Sequence, residues 1–182
     1  MKKKYLKILF TLAIILIVTF FTMGVIYPYS FAGISKNIEY TTQGKIYSDY
    51  TSNVSYLEDQ LDSQNLDLSI KDTLQNTLDL FSNSIFMEKG TNNVSKKDLK
   101  NFNKDMESLA KELRVEMKEN GRSLSNDEFS YLSTLDSHFQ VYNEWLNASL
   151  KETFTSEKEW NQKLKDLHES LLVDLEGMKI FI

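Results

Sequence analysis

The chain has 182 residues, a net charge of −5 and no cysteine, with 26% charged and 41% hydrophobic side chains. The absent thiol excludes disulfides, a cysteine nucleophile and a lipid-bearing cysteine, and the acidic balance argues against binding to nucleic acid or to anionic surfaces. With one proline and six glycines the chain carries few breakers, which favours long helices over many short strands.

The chain opens on Lys2, Lys3, Lys4 and Lys7, followed by an uncharged stretch from Ile8 to Tyr27 rich in Ile, Leu, Val and Phe. At about 1.5 Å per residue a helix of that length reaches about 30 Å, the thickness of a bilayer's hydrocarbon core. Thr11, Thr19 and Thr22 are tolerable there because a hydroxyl can bond back to a helix carbonyl. Tyr27, Tyr29 and Phe31 cluster at the outer end, where aromatic rings suit the headgroup layer. The lysines place the N-terminus inside by the positive-inside rule. Residues 1–7 then form a cytoplasmic tail, 8–32 an anchor and 33–182 a domain outside.

A second reading of the same stretch is a cleaved signal peptide, with Pro28 as the helix breaker and Ser30-Phe31-Ala32 as a small-x-small cleavage site. The apolar run is longer than the ~7–15 residues usual in such peptides, which favours the uncleaved anchor. Both readings export residues 33–182. Four of the 21 basic side chains and none of the 26 acidic ones lie before residue 33, so the exported part is the more acidic, 17 basic against 26 acidic.

About 150 residues remain, enough for one domain that buries roughly 70% of its extended-chain surface. Residues 34–44 read as an outward continuation of the first helix or as a linker weakened by Thr41, Thr42 and Gly44. From Lys45, the residues Tyr47, Tyr50, Val54, Leu57 and Leu61 recur at helical spacing, and Ser63-Gln64-Asn65 breaks the pattern. Ile70, Leu74, Leu78, Phe81 and Ile85 predict a helix from Asp67 to Lys89, and Gly90-Thr91-Asn92-Asn93 a turn. Ser95 and Asp98 stand at capping-box spacing before the stripe Leu99, Phe102, Met106, Leu109, Leu113 and Met117, and Gly121 is placed to end that helix in the left-handed region. Ser125 and Glu128 open the next stripe, Leu132, Leu135, Phe139, Tyr142, Leu146 and Leu150. After a break at Thr153–Thr155, Ser156 and Glu159 open the last, Trp160, Leu164, Leu167, Leu171, Leu175 and Met178.

No strand pattern competes with these stripes. The fold class is all-α: an N-terminal transmembrane helix followed by an antiparallel four- or five-helix bundle with shallow left-handed crossings. In architecture alone this is similar to the exported four-helix sensor domains of bacterial chemoreceptors and kinases. No residue motif carries the likeness, and the tail Met178–Ile182 is too short for a second span.

The motifs of chemistry are missing. Neither His138 nor His168 has the glutamate three residues before it that a di-iron bundle needs, and His168-Glu169 lacks the second histidine of a zinc protease, so both read as ordinary surface or helix-flank residues. No nucleophile elbow, phosphate loop or dinucleotide fingerprint occurs. The paired carboxylates fall on polar faces and at helix starts, with nothing in the pattern to bury them. No catalytic residue, cofactor or metal is expected. Tyr131 and Trp145 lie just off the stripe of their helix: they either anchor a partner or widen the core face. The expected role is non-enzymatic, a protein-interaction or accessory module in a bacterial envelope. Its partners are another membrane or envelope protein and the bilayer through residues 8–27, and the stripes also offer a surface for homo-oligomers. The alternative is a secreted ligand- or toxin-type binding protein released after Ala32.

Overall fold

A computed structural model describes residues 2–29, 37–42, 44–63, 66, 68–82 and 84–182. It is mostly helical, with α1 (Lys2–Ile26), α2 (Gly44–Leu61), α3 (Leu68–Ser82), α4 (Lys96–Glu119), α5 (Asn126–Lys151) and α6 (Glu157–Phe181), and with two short strands, β1 (Asn37–Thr42) and β2 (Gly90–Ser95). The proposed cleavage site Ser30-Phe31-Ala32 lies outside the described residues, as do Ile34 to Lys36, Gln64, Asn65 and Asp67.

Within α1, Lys7–Ile26 is, among the described residues, the stretch long and apolar enough to cross a membrane: its mean hydropathy is 2.6 and 6% of it is buried. Its hydroxyls are satisfied within the helix, Thr11 donating to the Lys7 carbonyl at 2.9 Å and Thr19 to that of Ile15 at 2.8 Å. Exposed Leu9, Phe10, Leu16 and Phe21 therefore face outward with no polar backbone to satisfy. The helix ends where Tyr27 N–H still bonds the Met23 carbonyl at 3.0 Å and Pro28 follows.

The other five helices pack on one core. Each touches its neighbour in the chain, and α6 closes back onto α2. Polar links give the directions. Ser69 reaches Glu116 at 2.6 Å and Asn76 reaches Glu112 at 3.2 Å, so α3 and α4 run antiparallel. Arg114 to Asp136 at 2.9 Å and Asn143 to the Asn103 carbonyl at 3.1 Å do the same for α4 and α5. Tyr50 packs on His168 with ring centroids 4.7 Å apart, and Lys179 donates to Asn53 at 2.9 Å, so α2 and α6 run parallel.

The stripes face this core. Leu57, Leu74, Leu99, Leu132 and Leu171 are fully buried, with their counterparts along each helix, and a buried side chain of this size contributes about 1.5–3 kcal/mol. Three helix starts carry full capping boxes, on Ser95 with Asp98, Ser125 with Glu128 and Ser156 with Glu159.

Several expectations are corrected. The fold is not purely helical: β1 pairs antiparallel with β2, with Ile38 opposite Val94 and Thr41 opposite Thr91. Ile38, Tyr40 and Thr42 alternate inward along β1, so residues 37–42 neither extend α1 nor form a linker, and Gly90 to Asn93 is strand rather than turn. α3 stops at Ser82 rather than Lys89, because Ser84 and Tyr50 both donate to the Phe81 carbonyl, at 2.7 and 3.1 Å. Phe86, rather than Ile85, then fills the core. Gly121 does not take the left-handed conformation, which in this chain belongs to Gly44 (φ 75°) and Gly90 (φ 100°). A Cβ on Gly121 would instead lie 2.1 Å from the Met117 carbonyl oxygen, which is why a glycine stands there.

Candidate functional site: the seam between α5 and α6

Tyr131, His138, Tyr142 and Trp145 are spaced to share one face of α5, the face turned to α6. At its centre stands Asp174, 5% exposed. It lies three residues after Leu171 and next to Leu175, so the helical period carries it to the edge of the apolar stripe. His138 Nδ1 lies 2.6 Å from one carboxylate oxygen, and Tyr142 donates to the other at 2.9 Å. Burial pushes the Asp174 carboxyl up, opposed by the hydrogen bonds and charge of His138 and by Tyr142. The Tyr142 phenol is raised in turn, by burial first and then by the Asp174 charge. The paired carboxylates Glu58-Asp59 and Asp127-Glu128 are not buried, but three carboxylates outside those pairs are: Asp174, and Asp136 and Glu116, which are buried against Arg114 and Ser69.

The two proposed contact residues flank this centre. Tyr131 stacks on Phe181, ring centroids 4.6 Å apart and planes 10° apart, and its ring is 3.5 Å from where a Cβ on Gly177 would be. Its hydroxyl is buried without a hydrogen-bond partner among the described residues. Burial, then the charge of Asp174, raises its pKa. Trp145 is half-buried against the core and, with Val141, Tyr142, Leu167 and Ser170, lines a depression of about 180 Å³. Val141 beside it is 61% exposed.

His168 is not a surface residue. It is 2% exposed, with its ring 4.7 Å from those of both Tyr50 and Phe86. Its Nδ1 lies 3.1 Å from the Tyr40 hydroxyl, and burial lowers its pKa from 6.5 to about 4, so it is neutral at pH 7. Four residues after Leu164, it too was placed inward by its spacing.

In chemical terms the His138–Asp174 pair is a carboxylate-oriented imidazole. Among the described residues no hydroxyl is hydrogen-bonded to the second ring nitrogen of His138, so the pair has no serine or threonine nucleophile in line. Among the described residues, too, no group of three or more His, Asp or Glu side chains is placed to hold a metal. What the seam offers is a half-open aromatic and apolar strip with a buried charge behind it. Compared with models of protein families, with curated proteins and with solved structures, the chain matches none.

Proposed function

We propose that this is a single-pass membrane protein with its N-terminus in the cytoplasm and an extracytoplasmic five-helix bundle, α2–α6, acting as a non-enzymatic interaction or accessory module in a bacterial envelope. One observation carries the reading. The residues that follow α1 are part of the core: Tyr29 is 9% exposed, donates to the Val94 carbonyl at 2.9 Å, and packs edge-on against buried Trp160 at 5.1 Å. Pro28 is buried beside it. Cleavage after Ala32 would take Tyr29 out of the domain and leave a void beside Trp160, whose indole N–H already has no partner among the described residues. A leader peptide meant for removal has no reason to fill the core of what it leaves behind. The lysine run and the exposed apolar surface of Lys7–Ile26 support the same orientation. The partner is another membrane or envelope protein, met by the strip of Val141 and Trp145 on α5.

The test is fractionation of the native protein with intact-mass analysis. The expected result is a chain of 21.2 kDa in the membrane pellet. A species in the medium that begins near Gly33 overturns the reading in favour of a secreted binding protein.

A further inference from the structure

The geometry points to a second membrane contact: the corner between α5 and α6, led by Phe154, rests in the headgroup layer of the outer leaflet and holds the domain at a fixed tilt. The inference builds on the anchored reading above. If Lys7–Ile26 spans the hydrocarbon, its twenty residues cover about 30 Å and leave Tyr27 at the outer boundary. The Phe154 ring meets Tyr27 edge to face, with centroids 5.7 Å apart, so it shares that depth. Yet Phe154 is not part of the core. It is 52% exposed on the tip of a short turn whose next residue, Thr155, is buried. A half-exposed phenylalanine beside a tyrosine at the bilayer boundary matches the aromatic belt of membrane proteins.

The charges at this end fit the same occupant, although the domain as a whole is acidic. Glu152 is paired with Lys163 at 2.7 Å and accepts from Thr155. Glu159 and Asp98 are held in their capping boxes, and Glu157 faces the Glu39 N–H. Lys151, Lys97 and Lys158 are exposed around the same corner, and the Lys96 ammonium lies 5.8 Å over the Tyr29 ring. These are flexible cations able to reach lipid phosphates.

The chain has no cysteine, so single spin labels can be placed without background. Full-length protein carrying Phe154→Cys, Arg122→Cys or Ile17→Cys is reconstituted in vesicles of phosphatidylcholine and phosphatidylglycerol. Collision of each label with oxygen, which concentrates in lipid, is compared with collision with a water-soluble nickel chelate. Arg122 is exposed beyond the far end of α4 and supplies the aqueous reference. The expected ratio of oxygen to nickel collisions at 154 exceeds that at 122 several-fold and lies below that at 17. Equal ratios at 154 and 122, with a lipid signature at 17, overturn the docking and leave the anchor standing. An aqueous signature at 17 removes the anchor and the docking with it.

Discussion

Tyr29 tests the whole arrangement at the scale of one side chain. Tyr29→Ala leaves a cavity against Trp160 and is expected to cost about 3–4 kcal/mol, the usual loss for a large buried aromatic. Tyr29→Phe keeps the ring, deletes the bond to the Val94 carbonyl, and is expected to cost about 1–2 kcal/mol. Thermal unfolding in detergent separates the two, and equal melting points for both variants and the parent would refute the packing. His168 makes a prediction about pH. Its folded pKa, about 4, lies below the ordinary 6.5. The unfolded chain therefore binds a proton that the folded one refuses. Stability falls as pH drops from 6.5 to 4, by up to about 1.4 kcal/mol for each pH unit, and the effect levels off below that window. Asp174, with its carboxyl pushed up, tilts the other way, gaining stability as the pH falls. The quantity to measure is thus the stability of the parent minus that of His168→Phe, which should fall as the pH is lowered through that window. At the seam, His138→Ala leaves the buried carboxylate to Tyr142 alone and should cost about 1–3 kcal/mol by chemical denaturation. Both inward residues carried a local signal that the surface reading of His168 passed over: His168 and Asp174 stand at helical spacing from Leu164 and Leu171, inside the apolar stripe of α6. Their partners Tyr40 and His138 were not readable, because they come from elements far away in the chain.

The helices of the domain announced themselves and the strands did not, for a physical reason. A helix is written in contacts three and four residues apart, so stripes and caps are local; all three Ser capping boxes stand where their spacing puts them. Ser125→Ala and Ser156→Ala should each lose about 1 kcal/mol, the common worth of an N-cap, with no change in helix content at low temperature. β2 reads Gly-Thr-Asn-Asn-Val-Ser, a composition suited to turns, and becomes a strand only because β1 arrives to pair with it after a separation of two helices. The alternation of Ile38, Tyr40 and Thr42 was present in the sequence but spans only six residues. Gly121 shows the converse error, a glycine in a familiar place serving another purpose. Gly121→Ala is expected to destabilise by about 1–3 kcal/mol, because the methyl must displace the turn at Met117. The same substitution at a left-handed position would fail through backbone strain instead.

Over the molecule as a whole, the sheet, the start of α4 and the start of α6 gather where α1 arrives, and the last turns of α2 and α4 lie at the other end. The sequence pattern contained the helical stripes but not this polarity, which depends on Tyr29, Val94 and Trp160 meeting across the chain. The parallel pairing of α2 with α6 has a mechanical side. Because α6 begins beside the end of α1 and runs for 25 residues, about 37 Å, its last turn is carried to the opposite pole. A pull applied between α1 and that pole lies along the axis of α6. Such a load slides α6 against α2 and α5 together, straining many side-chain contacts at once, rather than peeling them apart one turn at a time.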